Sequence, residues 1–456
     1  MTPPSEQAPR TPARERRVPR WLRGLAPQRS WIAQLAAFGA IGLCLIGAWT
    51  IVRDPFAPTG VAQGETVADA QQAQPPAPGG AAEVEGEQTI SAVDEKFVLW
   101  SVTNAGDDTL FGLGEGDCSG TPCPALVRST DDGKTWTQMH TFSSADTSAA
   151  TGATQPRVQP AGALSEVLFT SPTTGYVYGG DLWVTRDGGR TFTHVDHPGS
   201  TVLDVVVHDE QTLALTASGC IQGTCSGRLE ISRLGGGDTP RLAQTIAAAT
   251  PTSQIDAADL VVGGDSLIVL AGNEPGSGDA PGAWRLAGDS LAPLNPGSAC
   301  SGKPFSAIAG NGTNRLVAVC DEAVSAKTTS FTTVTSTDGG GTWQLLGTGN
   351  LSLPTQGGIS LATSDGEHIV AASGGPRTAA DATTRTSDDN PLRVSSDGGR
   401  SWSESSGGDD APTGGMDDVR TLGQEFLALS RTDGELWRSS DRGGRWTHTS
   451  VAGHGG

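Results

Sequence analysis

An acidic, glycine-containing turn of eight residues occurs five times in this 456-residue chain. The copies read STDDGKTW (129–136), TRDGGRTF (185–192), STDGGGTW (336–343), SSDGGRSW (395–402) and SSDRGGRW (439–446). A carboxylate at a fixed place in a turn could serve as a catalytic acid or as a calcium ligand. Calcium takes about six to eight oxygen ligands, whereas each turn offers one or two acids. We therefore interpret the turns as structural.

Each position of the turn has a structural use. The Asp carboxylate can accept backbone N–H bonds within its own turn, the glycine can adopt a positive φ, and the aromatic residue can bury a large apolar area. The residues with these expected roles are Asp131, Gly133, Trp136, Asp187, Gly189, Phe192, Asp338, Gly340, Trp343, Asp397, Gly399, Trp402, Asp441, Gly443 and Trp446.

Histidine and cysteine are the other residues with chemistry to consider. His194, His197 and His208 form a loose cluster, which we interpret as solvent-facing. Six of the seven cysteines form three neighbouring pairs: Cys118 with Cys123, Cys220 with Cys225, and Cys300 with Cys320. The C-x4-C spacing of the first two pairs differs from the C-x2-C of zinc sites. An even number of cysteines in an exported domain favours disulfides. We expect three disulfides, no metal and no cofactor.

The spacing of the turns predicts the architecture. Successive turn aspartates are 56, 151, 59 and 44 residues apart, so two degenerate copies should lie between 190 and 335. The segments 227–244 and 282–294 fit, because each keeps a strand, a glycine-containing turn and a second strand. Four short strands per unit predict an all-β, seven-bladed β-propeller with four-stranded antiparallel blades, with six or eight blades as alternatives. The predicted blades begin near residues 93, 160, 200, 255, 302, 355 and 415.

At these turns the sequence resembles the Asp-box (BNR) propellers. This group includes sialidases, the sortilin ectodomain, xyloglucan-cleaving hydrolases and the photosystem II assembly factor. Four copies follow the pattern S/T-x-D-x-G-x-T/S-W/F, and the last departs from it with Arg445 in place of Ser or Thr. The resemblance implies the fold and no particular activity, because the same turn occurs in proteins of different function.

Two absences argue against sialidase activity. The resemblance would place a nucleophilic Tyr late in the chain, but Tyr176 and Tyr178 both lie in the second predicted blade and no Tyr follows them. The arginine-bearing segment expected before the first turn is replaced by EKFVLWSV (95–102). An extracellular glycoside hydrolase, sialidase-like or glucan-cleaving, is the alternative function, since its chemistry needs only two suitably separated carboxylates.

The N-terminal 90 residues predict a membrane anchor and a linker. Residues 31–52 contain no charge and are long enough to cross a bilayer. Seven Arg precede this segment, so the basic tail 1–30 should be cytoplasmic and the rest of the chain outside a cell membrane crossed once. Residues 53–90 are rich in Pro, Ala, Gly and Gln and predict a disordered linker, followed by the propeller at 91–452. Beyond residue 53 there are 22 basic and 48 acidic residues, a net charge of −26 that argues against nucleic-acid binding.

The meander topology also predicts a binding face. In a four-stranded blade, the second-to-third and blade-to-blade connections lie opposite the face that carries the repeated turns. The long insertions fall on these connections, at 143–162, 272–282 and 374–391 and in the two C-x4-C loops. Arg157, Arg377 and Arg385 are the candidate contacts there. We expect a monomeric, non-catalytic module that recognises or assembles an envelope protein or glycan.

Overall fold

The computed structural model describes residues 84–452, except 87, 89, 107, 143–161, 198–199, 222, 236–239, 273–281, 326–327, 355–357, 375–389, 406–411, 413–414 and 431–433. All of these residues belong to one compact unit within Pro76–Gly456. Among them, no helix is long and apolar enough to span a membrane. The predicted anchor at 31–52 and tail at 1–30 lie outside the described residues, as does most of the linker.

The first half of the described chain forms two short N-terminal strands and three blades. The short strands are β1 (Val84–Glu85) and β2 (Ser91–Ala92). Blade 1 contains β3 (Val98–Gly106), β4 (Thr109–Asp117), β5 (Pro122–Ser129) and β6 (Thr137–Thr141). Blade 2 contains β7 (Glu166–Phe169), β8 (Gly175–Tyr178), β9 (Leu182–Thr185) and β10 (Phe192–His194). Blade 3 contains β11 (Ser200–His208), β12 (Gln211–Ser218), the hairpin β13 (Cys220–Ile221) and β14 (Thr224–Cys225), β15 (Leu229–Gly235) and β16 (Arg241–Ala249).

The second half forms four blades. Blade 4 contains β17 (Ala257–Gly263), β18 (Ser266–Gly272), β19 (Gly282–Ala287) and β20 (Ser290–Pro293). A short 3₁₀ turn (Gly297–Cys300) precedes blade 5, which contains β21 (Ala307–Gly310), β22 (Leu316–Val324), β23 (Thr328–Ser336) and β24 (Gln344–Pro354). Blade 6 contains β25 (Ile359–Thr363), β26 (Ile369–Ser373), β27 (Leu392–Ser395) and β28 (Ser403–Glu404). Blade 7 contains β29 (Asp418–Leu422), β30 (Glu425–Ser430), β31 (Glu435–Ser439) and β32 (Thr447–Thr449).

Every blade is an antiparallel meander whose four main strands follow one another along the chain. The fold is therefore an all-β, seven-bladed propeller, and the six- and eight-bladed alternatives are wrong. Both degenerate units form complete blades, numbers 3 and 4. β2 adds a fifth, outer strand to blade 1, and β1 adds one to blade 2. Val84–Glu85 thus pairs with a blade although it lies in the segment predicted as linker.

The propeller core consists of seven clusters of buried apolar side chains, one at each junction between neighbouring blades. The ring closes at the junction of blades 7 and 1, where Leu427 and Leu436 pack with Leu99, Val127 and Trp136. This apolar packing stabilises the closed ring, which removes the exposed edges of separate sheets.

Side chains also bind the free backbone edges of the inner strands. Ser101 Oγ accepts a hydrogen bond from Val167 N on blade 2 at 3.2 Å, and Ser360 Oγ accepts one from Val419 N on blade 7 at 3.1 Å. Both groups are N–H donors on the first strand of the next blade, where no neighbouring strand can pair with them. The bonds satisfy polar groups that would be costly to bury unpaired.

All three predicted disulfides are formed: Cys118–Cys123, Cys220–Cys225 and Cys300–Cys320. The first two close the second-to-third connections of blades 1 and 3. The third joins the 3₁₀ turn to β22, and both of its cysteines are buried with Phe305.

Candidate functional site

The five repeated turns share one hydrogen-bond pattern, which we describe at the first. Ser129 Oγ donates to Asp131 Oδ1 at 2.8 Å and accepts from Gly133 N at 2.8 Å. Asp131 Oδ1 also accepts from Thr135 N at 2.9 Å, and its Oδ2 accepts from the Thr135 hydroxyl at 2.7 Å. Gly133 has φ +84°. The Trp136 indole N–H donates to the Gly133 carbonyl at 3.0 Å, a bond that recurs only in the last of the five turns, at Trp446. The carboxylate thus binds its own turn.

The last turn lacks one hydrogen bond that the other four turns have, because Arg445 stands where they have Thr or Ser. Thr135, Thr191, Thr342 and Ser401 each donate a hydroxyl hydrogen to the second oxygen of their aspartate. Arg445, at the same position, donates only its backbone N–H to Asp441, at 2.7 Å. Hydrogen bonds from Thr135 lower the pKa of Asp131 to about 2, and those from Thr342 do the same for Asp338.

The long insertions all begin and end on the face opposite these turns, which we call the loop face. The segments around 143–162, 272–282 and 374–391 lie largely outside the described residues, and so do Arg157, Arg377 and Arg385. The hairpin β13–β14 is described: Cys225 exchanges backbone hydrogen bonds with Ile255, which precedes blade 4, and Ile221 at its tip is 73% exposed. In the described part of the loop face, one firmly held hairpin therefore carries an exposed apolar residue.

Two of the three predicted solvent-facing histidines converge on one carboxylate of the loop face. His194 Nε2 lies 2.6 Å and His197 Nε2 lies 2.8 Å from Asp181 Oδ1. The side chains of His197 and His208 are each only 9% exposed. His208 Nε2 lies 3.5 Å from Asp209 Oδ2. The prediction of solvent-facing histidines is wrong for His197 and His208, whereas the side chain of His194 remains 28% exposed.

The register of the hairpin β9–β10 accounts for this cluster. Trp183 pairs with His194 and Val184 with Thr193, so Asp181, in the turn before β9, lies beside the chain that follows His194. The position of the repeated turn between the two strands indicates this register, but it does not indicate the path of the chain after His194, which brings His197 to Asp181. Burial alone raises the pKa of Asp181, but hydrogen bonds with His194 and His197 outweigh it, and the pKa lies below its usual value.

A second charged group lies on the inner strands around the propeller axis. Arg420 on blade 7 binds Glu166 Oε2 on blade 2 through Nη2 at 2.8 Å, Asp418 Oδ2 through Nε at 2.5 Å, and the Val102 carbonyl on blade 1 at 3.2 Å. Ser101 also donates to Glu166 Oε2, at 2.8 Å. One guanidinium therefore connects three blades.

Both tyrosines form hydrogen bonds across the junction of blades 2 and 3. Tyr176 pairs with the Thr212 hydroxyl at 3.0 Å, and Tyr178 donates to Asp204 Oδ1 at 3.0 Å. Burial, and then the neighbouring carboxylate of Asp259, raise the pKa of Asp204 to about 7. Burial and Asp204 raise the pKa of Tyr178. Sequence reasoning did not single out Asp204, whose surroundings come from three blades.

A shallow groove of about 280 Å³ lies on the face that carries the repeated turns, between blades 2 and 3. Arg186, Glu210 and Arg233 line its charged part and Tyr176 its apolar part. It is open to solvent and adjoins the repeated turn of blade 2.

The fold and its crosslinks define a disulfide-bonded, seven-bladed β-propeller with four-stranded blades. Solved structures similar to it include "YCF48 bound to D1 peptide", with TM-score 0.48 and 13% identity, covering 77% of this chain and 95% of that one. Another is the WD40 β-propeller domain of Doa1, with TM-score 0.43 and 10% identity, covering 78% and 98%. No family model matches the sequence, and no curated protein matches it significantly. Likenesses this distant assign no function to the chain.

Proposed function

We propose that this chain is an Asp-box-type propeller, anchored by residues 31–52 with its propeller outside the cell, that recognises an envelope protein or glycan without catalysis. The observation that carries the proposal is the segregation of its connections. The face with the repeated turns has short connections, whereas every long insertion belongs to the loop face. Long loops on a rigid scaffold are where binding residues concentrate.

The disulfides support the outside location. Three disulfides suit an oxidising compartment, because cytosolic thiols are kept reduced. Two of them close loops of the loop face itself, which limits the entropy that those loops would lose on binding a partner. The anchor is tested by deleting residues 31–52, which should release the chain from the membrane fraction.

Crosslinking in intact cells tests the binding face. The segment 374–391 is replaced by a short Gly-Ser turn, and the double variant Arg377→Ala/Arg385→Ala provides a milder change. The matched control is Arg186→Ala/Arg190→Ala, which removes two arginines from the opposite face. We expect a specific crosslinked partner to be lost from the first variant, weakened in the second and retained in the control. A partner captured equally by the wild type and by all three variants would contradict the assignment of the binding face.

A glycosidase assay tests the proposal that the chain acts without catalysis. The purified chain is incubated with fluorogenic glycosides, including a sialoside, and we expect no turnover above the rate without protein. Turnover that disappears in Glu166→Gln or Asp204→Asn would instead favour the hydrolase alternative, with those carboxylates at its centre.

A further inference from the structure

The cluster of Asp181, His194 and His197 has the donor set of a metal centre. One ligand atom from each residue lies within 4.8 Å of the other two. Two imidazole nitrogens and one carboxylate oxygen are a common set of three protein ligands for zinc, whose fourth position is then open. We propose that these three residues bind one Zn²⁺ ion on the loop face.

The hydrogen bond at the far side of His197 is the strongest argument. Its Nδ1 lies 2.9 Å from the Ser200 carbonyl oxygen, which can only accept, so Nδ1 carries a hydrogen. In the neutral ring, Nε2 then presents a lone pair to Asp181 Oδ1 at 2.8 Å. Two lone pairs at this distance repel each other unless a cation lies between them. That cation is either a proton, which makes His197 an imidazolium, or a metal ion.

Neighbouring groups fix the orientation of the proposed ligand side chains, as the groups around a metal site usually do. A backbone carbonyl that accepts from Nδ1 fixes the tautomer with Nε2 free to ligate. Asp181 is held from two sides, by Leu182 N to Oδ1 at 2.9 Å and by the Trp183 indole N–H to Oδ2 at 3.3 Å. The Trp183 ring also lies edge-on to His194, with centroids 5.1 Å apart. Two of the three ligands therefore have a fixed orientation before any ion arrives.

The donor chemistry selects the class of ion. Imidazole nitrogens favour zinc and similar transition metals over magnesium and calcium, which prefer oxygen ligands. The donors now lie at hydrogen-bond distances, whereas ligands about 2.0–2.1 Å from a tetrahedral zinc are roughly 3.3 Å apart. Taking up the ion would therefore require the two imidazole nitrogens to lie about 0.5–0.7 Å further from Asp181 Oδ1. The bound ion would join the β8–β9 turn, strand β10 and the connection to blade 3.

Zinc uptake by the full chain tests the proposal. The protein is stripped with a chelator and dialysed at pH 7.5 against micromolar Zn²⁺, and bound metal is measured by mass spectrometry. We expect about one Zn²⁺ per chain and no comparable uptake of Mg²⁺. Asp181→Asn, His194→Gln and His197→Gln should each weaken zinc binding by at least about tenfold. His448→Gln is the matched control, because His448 is exposed and packs on Trp437 away from the cluster, and its affinity should equal that of the wild type.

Ring-nitrogen NMR of the wild-type chain gives a second readout that does not depend on how the variants fold. Zinc should move the Nε2 resonances of His194 and His197 while the Nδ1 hydrogen of His197 is retained. A His197 ring protonated at both nitrogens in saturating Zn²⁺ would show a simple ion pair with Asp181 and overturn the proposal. Zinc uptake that is unchanged in all three variants would overturn it equally.

Discussion

Tyr178 donates its hydroxyl hydrogen to Asp204 Oδ1 at 3.0 Å, across the junction between blades 2 and 3. The other oxygen of the same carboxyl accepts the backbone N–H of Leu260 on blade 4, at 2.7 Å. One acidic side chain thus links three consecutive blades, at a partly buried position where a negative charge is unfavourable.

The raised pKa of Asp204 predicts a pH-dependent stability. Its pKa is about 7 in the folded protein, against 3.8 for an ordinary Asp, so the folded state holds the proton more tightly. Its stabilising contribution is full below about pH 4 and is lost as pH rises through 7. Between pH 5 and 8 the loss should be on the order of 2 kcal/mol. Asp204→Asn should remove this part of the pH dependence in denaturant unfolding, and an identical pH slope in both proteins would contradict the assignment.

Removal of Arg420 should destabilise the ring. The substitution Arg420→Met leaves Glu166 and Asp418, whose side chains are only 15% and 17% exposed, without their shared cation. Arg420 itself is 32% exposed, so we expect a loss of about 2–3 kcal/mol, below the usual cost of breaking a fully buried pair. Arg445→Met, at an exposed turn, is the control and should change the free energy of unfolding little. Adding Glu166→Gln to Arg420→Met should restore part of the stability, and an additive loss would show that the pair does not interact.

The repeated turns allow a reciprocal test. Thr191→Val deletes the hydroxyl that donates to Asp187 Oδ2 at 2.6 Å and should cost about 1 kcal/mol. Arg445→Thr introduces the equivalent hydroxyl opposite Asp441 and should stabilise by about 0.5 kcal/mol. Urea midpoints at constant m-value provide the measurement. A Thr191→Val protein as stable as the wild type, together with an Arg445→Thr protein that gains no stability, would show that this bond has no structural value.

The three disulfides should differ in their contributions. Cys300 and Cys320 are 20 residues apart and Cys118 and Cys123 only 5, and the loop-entropy model assigns about 3 and about 2 kcal/mol to such loops. Replacing both members of each pair by Ser, with urea unfolding as readout, should therefore destabilise more at Cys300–Cys320, whose cysteines are also buried. The opposite order would mean that the loop of blade 1 is the more important crosslink.

Local spacing explains how much of the architecture could be predicted. The Ser129–Asp131–Gly133 bonds span two to four residues, so an eight-residue pattern suffices to recognise the turn. Blades 3 and 4 lack that pattern, yet the strand–turn–strand rhythm of 227–244 and 282–294 was enough to place them. The predicted start at 200 coincides with the first residue of β11, and those at 255 and 355 lie within a few residues of β17 and β25.

The charged clusters could not be predicted in the same way. Glu166 and Arg420 are 254 residues apart and meet only because the ring brings blade 7 beside blades 1 and 2. Asp181 and His197 are only 16 residues apart, but their contact depends on the register of β9 and β10 and on the path of the chain after His194. Interpreting the histidines one by one as surface residues ignored that register.

The sequence by itself determined the repeated turns, the seven blades and the cysteine pairs, because each follows from hydrogen bonds or apolar periodicity within a few tens of residues. Only the tertiary structure decided which charged side chains share one environment. Closure of the ring places Arg420 between two carboxylates and Asp204 among three blades, and strand pairing gathers Asp181, His194 and His197. Such groups depend on distances between segments that the linear order of residues does not specify.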